Sequence, residues 1–221
     1  MMDMDFATAA YRLSIIALPI LIAITLHEAA HGFVAWKRGD DTAYMLGRVT
    51  FNPLRHIDPI GTVLVPLVLM FASGMMFGWA KPVPVNFRRL DNPRRDMILV
   101  ALAGPGINIA LAYVSALLLH LADIFPPSAE SWVKQNLLAS VYVNLLLALF
   151  NMIPLPPLDG GRVAVGLLPR RIGYALSRVE PFGFLIIIVL LFMLPQLNLF
   201  ARLVQVPAAN LTTLFLKLAG L

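Results

Sequence analysis

An apolar stretch from about residue 13 to residue 36 carries two histidines and a glutamate near its end, in the string His27-Glu28-Ala29-Ala30-His31. Ionisable side chains are costly inside a membrane-spanning segment, so they usually face a protein or water-filled interior and mark function. On a helix, residues four apart lie on one face, so the two imidazoles can bind one metal ion together. Glu28 can then act as a general base toward a water at that metal.

The composition is that of a polytopic membrane protein. Hydrophobic residues make up 59% of the 221 residues, against roughly 45–50% in soluble domains. The charged residues, 13% of the chain, cluster between apolar runs, so the net charge of +5 indicates topology rather than nucleic-acid binding. The lipid bilayer is the expected surrounding. Because cysteine is absent, nitrogen and oxygen ligands must hold any metal.

A helix needs about 20 apolar residues to cross a bilayer. The segments that meet or approach this length are 11–36, 97–122, 137–153 and 182–204. We predict an all-α membrane protein with about 4–6 transmembrane helices, counting shorter apolar segments as possible spans. The prediction is one membrane-embedded domain over residues 1–221, with a core of 11–180 and accessory helices in 182–221.

The basic residues predict the orientation, because Lys and Arg accumulate on the cytoplasmic side. The strongly basic segments are 37–58, 78–96 and 159–180. Residues 123–136, by contrast, contain only one basic residue, Lys134. If the basic segments are all cytoplasmic, the apolar segment 60–77 must enter and leave on one side. Pro66 and the flanking Gly61 and Gly74 suit such a re-entrant hairpin; a plain span with one misplaced basic loop is the alternative.

The two ends of the chain carry weaker signals. The stretch 206–221 is short and amphipathic, which predicts an interfacial helix or a marginal span. At the other end, Asp3 and Asp5 stand where a signal peptide would carry positive charge, and no small-residue cleavage site follows the apolar run. We therefore expect the first helix to be retained.

A catalytic zinc takes three protein ligands and one water, so the histidine pair needs a partner. In the predicted orientation, the segment 137–153 returns to the side of His31 and leads into a proline-rich turn that ends at Asp159. The Gly160-Gly161 pair lets the backbone turn tightly there. At about 1.5 Å per residue, His31 lies roughly 9 Å inside the Lys37 end of its helix. The predicted site therefore lies within the membrane, near its cytoplasmic side.

The other carboxylates are placed less well for this role. Those expected in charged loops are Asp40, Asp41, Asp91 and Asp96. Asp58, beside a proline, is expected to be a turn or cap residue.

Three segments of the chain together resemble the site-2 protease family of intramembrane zinc metalloproteases: residues 27–31, residues 103–108 (Ala-Gly-Pro-Gly-Ile-Asn) and residues 151–161. The resemblance covers about residues 11–180 and is closest to a minimal form without a PDZ domain. It implies one Zn²⁺ per chain, held by His27, His31 and Asp159, with Glu28 as the general base.

The resemblance also implies a substrate and a location. The expected activity is cleavage of a transmembrane helix in a single-pass membrane protein. Such cleavage often releases a membrane-tethered regulator such as an anti-sigma factor or a transcription factor. A bacterial-type cell membrane is the expected location.

The resemblance gives Asn108 a role in holding substrate or the oxyanion. The alternative is a hydrogen bond between helices, which membrane asparagines commonly make. For Asn144 and Asn151 we favour the structural interpretation, although Asn151 could contact substrate.

Three other features leave alternatives open. The proline-rich segment 78–86 is either an extended edge that binds unwound substrate by strand addition or an interfacial loop anchored by Trp79 and Lys81. His56 is expected to be a loop residue rather than a ligand. His120 is expected near the outer interface.

Two other functions could use the same residues. A metal transporter could hold its cargo at such a site, but the chain lacks the internal repeat common in transporters. A non-catalytic scaffold could bind helices without cutting them. Such a scaffold would be expected to lose the base or a ligand, whereas this chain keeps all four residues.

Overall fold

A computed structural model describes residues 6–65, 68, 81–189 and 198–221. Among these residues the regular structure is entirely helical, which confirms the predicted all-α class. The α-helices are α1 (Phe6–Lys37), α2 (Thr42–Met45), α3 (Pro93–Leu118), α4 (Pro127–Asn151), α5 (Asp159–Leu167), α6 (Arg170–Ser177), α7 (Glu180–Ile188) and α8 (Val206–Leu218). Short 3-10 or π-helical segments cover Pro53–Arg55, Pro59–Leu64, Phe87–Arg89, Leu119–Ile124 and Ala201–Gln205.

Three of the described helical segments are long and apolar enough to cross a membrane: Ala10–Lys37, Pro93–Ile124 and Pro127–Asn151. They correspond to three of the predicted spans and confirm an integral membrane protein. The fourth prediction, 182–204, is described only at its two ends, since residues 190–197 lie outside the described residues. The hairpin predicted for 60–77 also lies largely outside them, so it stays a prediction.

Helices α1, α3 and α4 begin earlier than the hydropathy predicted, and two of them begin at a proline. Proline at the first helical position is favourable because its missing N–H has no helical partner there, and α3 and α4 begin at Pro93 and Pro127. Asp96 was expected in a charged loop. That expectation was wrong, because Asp96 lies in the first turn of α3 and accepts a hydrogen bond from the Asn92 N–H at 2.8 Å.

The chain divides into two compact units, one of Met1–Ala23 with Pro105–Leu221 and the other of Ile24–Gly104. In the first unit, small side chains of α3 pack against α4 and α8 through a core of Ala112, Ala116, Val141 and Leu145. Within this unit the Ser115 and Ser140 hydroxyls, 2.8 Å apart, share a hydrogen bond. The predicted C-terminal helix is therefore present as α8, a helix packed on this core.

The second unit contains the end of α1 and the beginning of α3. Ala35, Leu90 and Val100 form its core, and Val34, Val85 and Phe87 pack around them. Asp58 caps the segment Pro59–Leu64 by accepting from the Ile60 and Gly61 N–H groups, as predicted for a cap residue.

Candidate metal centre

The two histidines of α1 present their Nε2 atoms to each other. These atoms are 3.1 Å apart, and both side chains are buried. Two nitrogens bound to one tetrahedral zinc at about 2.0–2.1 Å would be separated by roughly 3.3 Å. The His27 and His31 rings meet nearly at right angles, at 86°. The pair therefore has the spacing that two ligands of one ion require.

The other nitrogen of His31 has a backbone partner. Its Nδ1 lies 2.7 Å from the carbonyl oxygen of Val100, on α3. A carbonyl can only accept, so Nδ1 carries the proton and Nε2 keeps its lone pair. Metal-ligating histidines are commonly oriented by such a bond, which also raises their basicity as ligands.

Gly104 leaves open the space beside the two ring nitrogens. A Cβ atom at this position would lie 2.6 Å from Nε2 of both His27 and His31. Real Cβ atoms essentially never approach so closely. Because glycine has no side chain, the Gly104 backbone forms one wall of the space beside the two imidazoles, which we call the cradle. A pair of nitrogen ligands of this kind suits zinc.

We expect Gly104→Ala to weaken zinc binding by about 10-fold or more, the scale found when ligand orientation is disturbed. The added methyl must displace at least one imidazole. Zinc affinity, measured by competition with a chromogenic chelator, checks this. The matched control is Gly106→Ala on the same helix, where a Cβ would meet nothing within 4 Å. Equal zinc affinities for both variants would contradict the cradle.

Glu28 is half-buried, and its carboxylate also has a backbone partner. Oε2 accepts a hydrogen bond from the Val83 N–H at 2.8 Å. Gly32, one turn further along α1, leaves room for this segment, since a Cβ there would lie 3.1 Å from the Val83 side chain, closer than ordinary van der Waals contact. The glutamate is thus held by a segment 55 residues away in sequence.

The segment 81–86 is non-helical and is held by buried polar groups. Arg48 donates to the Lys81 carbonyl at 2.7 Å. The Lys81 N–H donates to the His56 carbonyl at 2.9 Å, and Asp40 accepts from the Asn86 N–H at 2.6 Å. The described part of the predicted extended segment is confirmed as non-helical, while its substrate role stays a prediction. Asp40 lies in a loop, as expected, but is fully buried.

Asp159 is the first residue of α5 and is buried in the other unit. The turn before it is tightly packed. A Cβ on Gly160 would overlap the Met152 carbonyl, and one on Gly183 would overlap the Pro156 carbonyl. The beginning of α7, predicted to be accessory, therefore supports the turn that leads to Asp159. No local pattern in the sequence pointed to this role for Gly183.

The asparagines differ in their surroundings. Asn108 is fully buried in α3. Asn144 and Asn151 each donate to a backbone carbonyl one turn earlier on α4, Asn144 to Ser140 at 2.9 Å and Asn151 to Leu147 at 3.1 Å. These bonds lie within α4 rather than between helices, so the roles of both residues stay predictions.

The remaining histidines bind backbone carbonyls. His56 is buried in a loop, and its Nε2 lies 3.1 Å from the Thr50 carbonyl. His120 Nε2 lies 2.7 Å from the Ala219 carbonyl. Neither belongs to a group of metal-capable side chains among the described residues.

Comparisons with known proteins agree with this chemistry. Residues 120–194 match the model of peptidase family M50. YwhC of Bacillus subtilis, which bears the name of a zinc metalloprotease, is 38% identical over 179 residues, covering 79% of this chain and 78% of YwhC. Rip2 of Mycolicibacterium smegmatis, also named as a zinc metalloprotease, is 33% identical over 181 residues, covering 80% of this chain and 66% of Rip2.

A more distant relative is the zinc metalloprotease MJ0392 of Methanocaldococcus jannaschii, 25% identical over 190 residues that cover 84% of this chain and 44% of MJ0392. No solved structure matches the chain. From the extent of the YwhC match and the family model, the chain belongs to peptidase family M50, the site-2 protease family, and is a zinc metalloprotease of the membrane.

Proposed function

We propose that this zinc metalloprotease is an intramembrane endopeptidase, which hydrolyses a peptide bond in or near a transmembrane segment of a single-pass membrane protein. One observation carries the proposal: the imidazole pair lies on a helix long and apolar enough to cross a membrane. Glu28 follows His27 directly on that helix. A protease with its site on a spanning helix meets its substrates inside the bilayer.

The proposed zinc ligands are His27, His31 and Asp159. Each is buried and offers one nitrogen or oxygen ligand atom. Three protein ligands leave one position open, as in other catalytic zinc sites. A zinc ion held by these residues would act as a Lewis acid, which would polarise the scissile carbonyl and lower the pKa of the attacking water to about 7.

The chain's own residues carry the proton transfers. The Val83 N–H donates to Oε2 of Glu28, and we propose that Oε1 accepts the proton of the attacking water. The water oxygen bonds to the scissile carbonyl carbon, the carbon–nitrogen bond breaks, and Glu28 passes the proton to the leaving amine. Asn108, and less directly Asn151, are proposed to hold the substrate backbone or its developing oxyanion.

The proposed location follows from the basic segments. They assign the Lys37 end of α1 to the cytoplasmic side, with the imidazoles within about 15 Å of that end. Water would therefore reach the site from the cytoplasm of a bacterial-type cell. Regulated proteolysis is the proposed physiological role, with a membrane-tethered regulator as substrate.

The experiment uses the full chain in proteoliposomes with a fusion substrate whose single transmembrane segment lies between two soluble reporter domains. We expect cleavage that stops after treatment with 1,10-phenanthroline and returns on adding zinc, with product masses that place the cut in or near the transmembrane segment. A matched substrate joined by a soluble linker should stay intact. Cleavage confined to the soluble domains would contradict the proposal, and zinc flux without cleavage would favour the transporter.

A further inference from the structure

The segment that follows α1 has inverted polarity. We call residues 42–56 the platform. Its apolar side chains point outward: Phe51 is 79% exposed, Met45 75% and Leu54 73%. Of its two arginines, Arg48 is only 8% exposed, whereas Arg55 is exposed. In water the reverse is expected, because arginine is almost never fully buried and large clusters of exposed apolar residues mark an interaction site.

The buried polar groups explain how this inversion is stable. Arg48 donates to the carbonyl oxygens of Lys81 and Pro82. His56 lies beside the same segment, since its carbonyl accepts from the Lys81 N–H. The platform therefore turns Arg48 and His56 toward the protein and its large apolar side chains away from it, while Asn52 and Arg55 stay exposed. The medium outside the apolar face must differ from water.

The backbone limits how deep the platform can lie. It contains only the four-residue helix α2 and the three-residue 3-10 helix Pro53–Arg55, joined by turns. A lipid-exposed backbone without continuous helical hydrogen bonding does not occur in the hydrocarbon core. The platform can therefore lie at the headgroup boundary but cannot span the membrane.

The neighbouring end of α1 has the marks of that boundary. Trp36 stacks on Tyr44 of the platform, with ring centroids 4.3 Å apart and planes 7° apart. The Lys37 Nζ lies 4.4 Å from the Trp36 ring centroid. Aromatic side chains are enriched at membrane interfaces, and basic ones beside them attract anionic headgroups. The exposed basic side chains here are Lys37 and Arg38, which precede the platform, and Arg55, which lies within it.

We propose that the platform lies in the membrane interface at the Lys37 end of α1, with Met45, Phe51 and Leu54 inserted among the lipid acyl chains. The occupant of this face is the lipid leaflet, because the face is continuous with the end of a membrane-spanning helix. This placement does not depend on the proposed cleavage reaction.

The test uses single-cysteine variants, since the chain contains no cysteine. Phe51→Cys and Met45→Cys carry an environment-sensitive fluorophore in vesicles of phosphatidylcholine and phosphatidylglycerol. The deep reference is Ile22→Cys, an exposed position of α1 about 22 Å along the helix from Lys37. The reference outside the platform is Asp91→Cys, at an exposed position. Quenchers are aqueous iodide and lipids with a nitroxide near the top or near the middle of the acyl chain.

We expect both platform reporters to be quenched more by the shallow nitroxide than by the deep one, and the Ile22 reporter to show the opposite order. Iodide should quench the platform reporters at least about threefold less than the Asp91 reporter. Iodide quenching equal to that of Asp91, without a nitroxide effect, would overturn the proposal. Protection from both iodide and the nitroxide lipids would show that a protein partner covers this face, and would also overturn the proposal. Leu46→Cys and Leu54→Cys serve if either first variant misfolds.

Discussion

Glu28→Gln is expected to lower the rate of substrate cleavage by about 10²–10⁴-fold, the usual contribution of a general acid–base group, while the protein retains its zinc. The amide cannot accept the proton of the attacking water. Its oxygen can still accept the Val83 N–H that the carboxylate binds at 2.8 Å, so the surrounding structure is kept. Single-turnover cleavage in proteoliposomes and zinc content by mass spectrometry measure the two effects separately.

The control for this variant is Glu130→Gln. Glu130 lies on α4 and pairs with Lys134 at 2.7 Å, away from the α1 motif in sequence. The Glu130→Gln variant should cleave the substrate at the wild-type rate. If Glu28→Gln kept zinc and cleaved as fast as the wild type, Glu28 would not be the base. Uncut substrates should accumulate in membranes that contain the Glu28→Gln variant, and the accumulated proteins would identify the substrates.

Asp159→Ala is expected to weaken zinc binding by more than about 100-fold, because losing an outer partner of a ligand alone costs 10–100-fold. Cleavage should fall with zinc occupancy. The carboxylate is the proposed third ligand, and its removal would leave two imidazoles, too few for a stable catalytic site. Zinc content after dialysis against a weak chelator is the direct readout, and it does not depend on knowing the substrate.

Asp123→Ala controls for loss of a carboxylate, since Asp123 is exposed and pairs with Lys134 at 2.7 Å. It should keep one zinc per chain. Asp159→Asn preserves the side-chain volume at this buried position and guards against a folding defect. Wild-type zinc affinity in both Asp159 variants would exclude Asp159 as a ligand and assign the third position to another group.

The helices were predictable because their signals are local. Apolar runs long enough to span a bilayer predicted α1 and most of α3 and α4. The errors came at the helix starts, where Pro93 and Pro127 begin helices in polar sequence. Hydropathy does not detect these first turns. At α3 capping chemistry does, since Asp96 lies in the first turn and accepts from the N–H of Asn92.

The amino-acid sequence by itself determined the membrane class and the imidazole pair, because the length of an apolar run and the shared face of i and i+4 positions are local properties. It also predicted Glu28 as the base. Only the tertiary structure decided what holds them. The Val100 carbonyl binds His31 from 69 residues away, the Val83 N–H binds Glu28 from 55 residues away, and Gly104 provides the space beside both rings. Such partners meet through chain packing and the pairing of buried polar groups, which no local periodicity records.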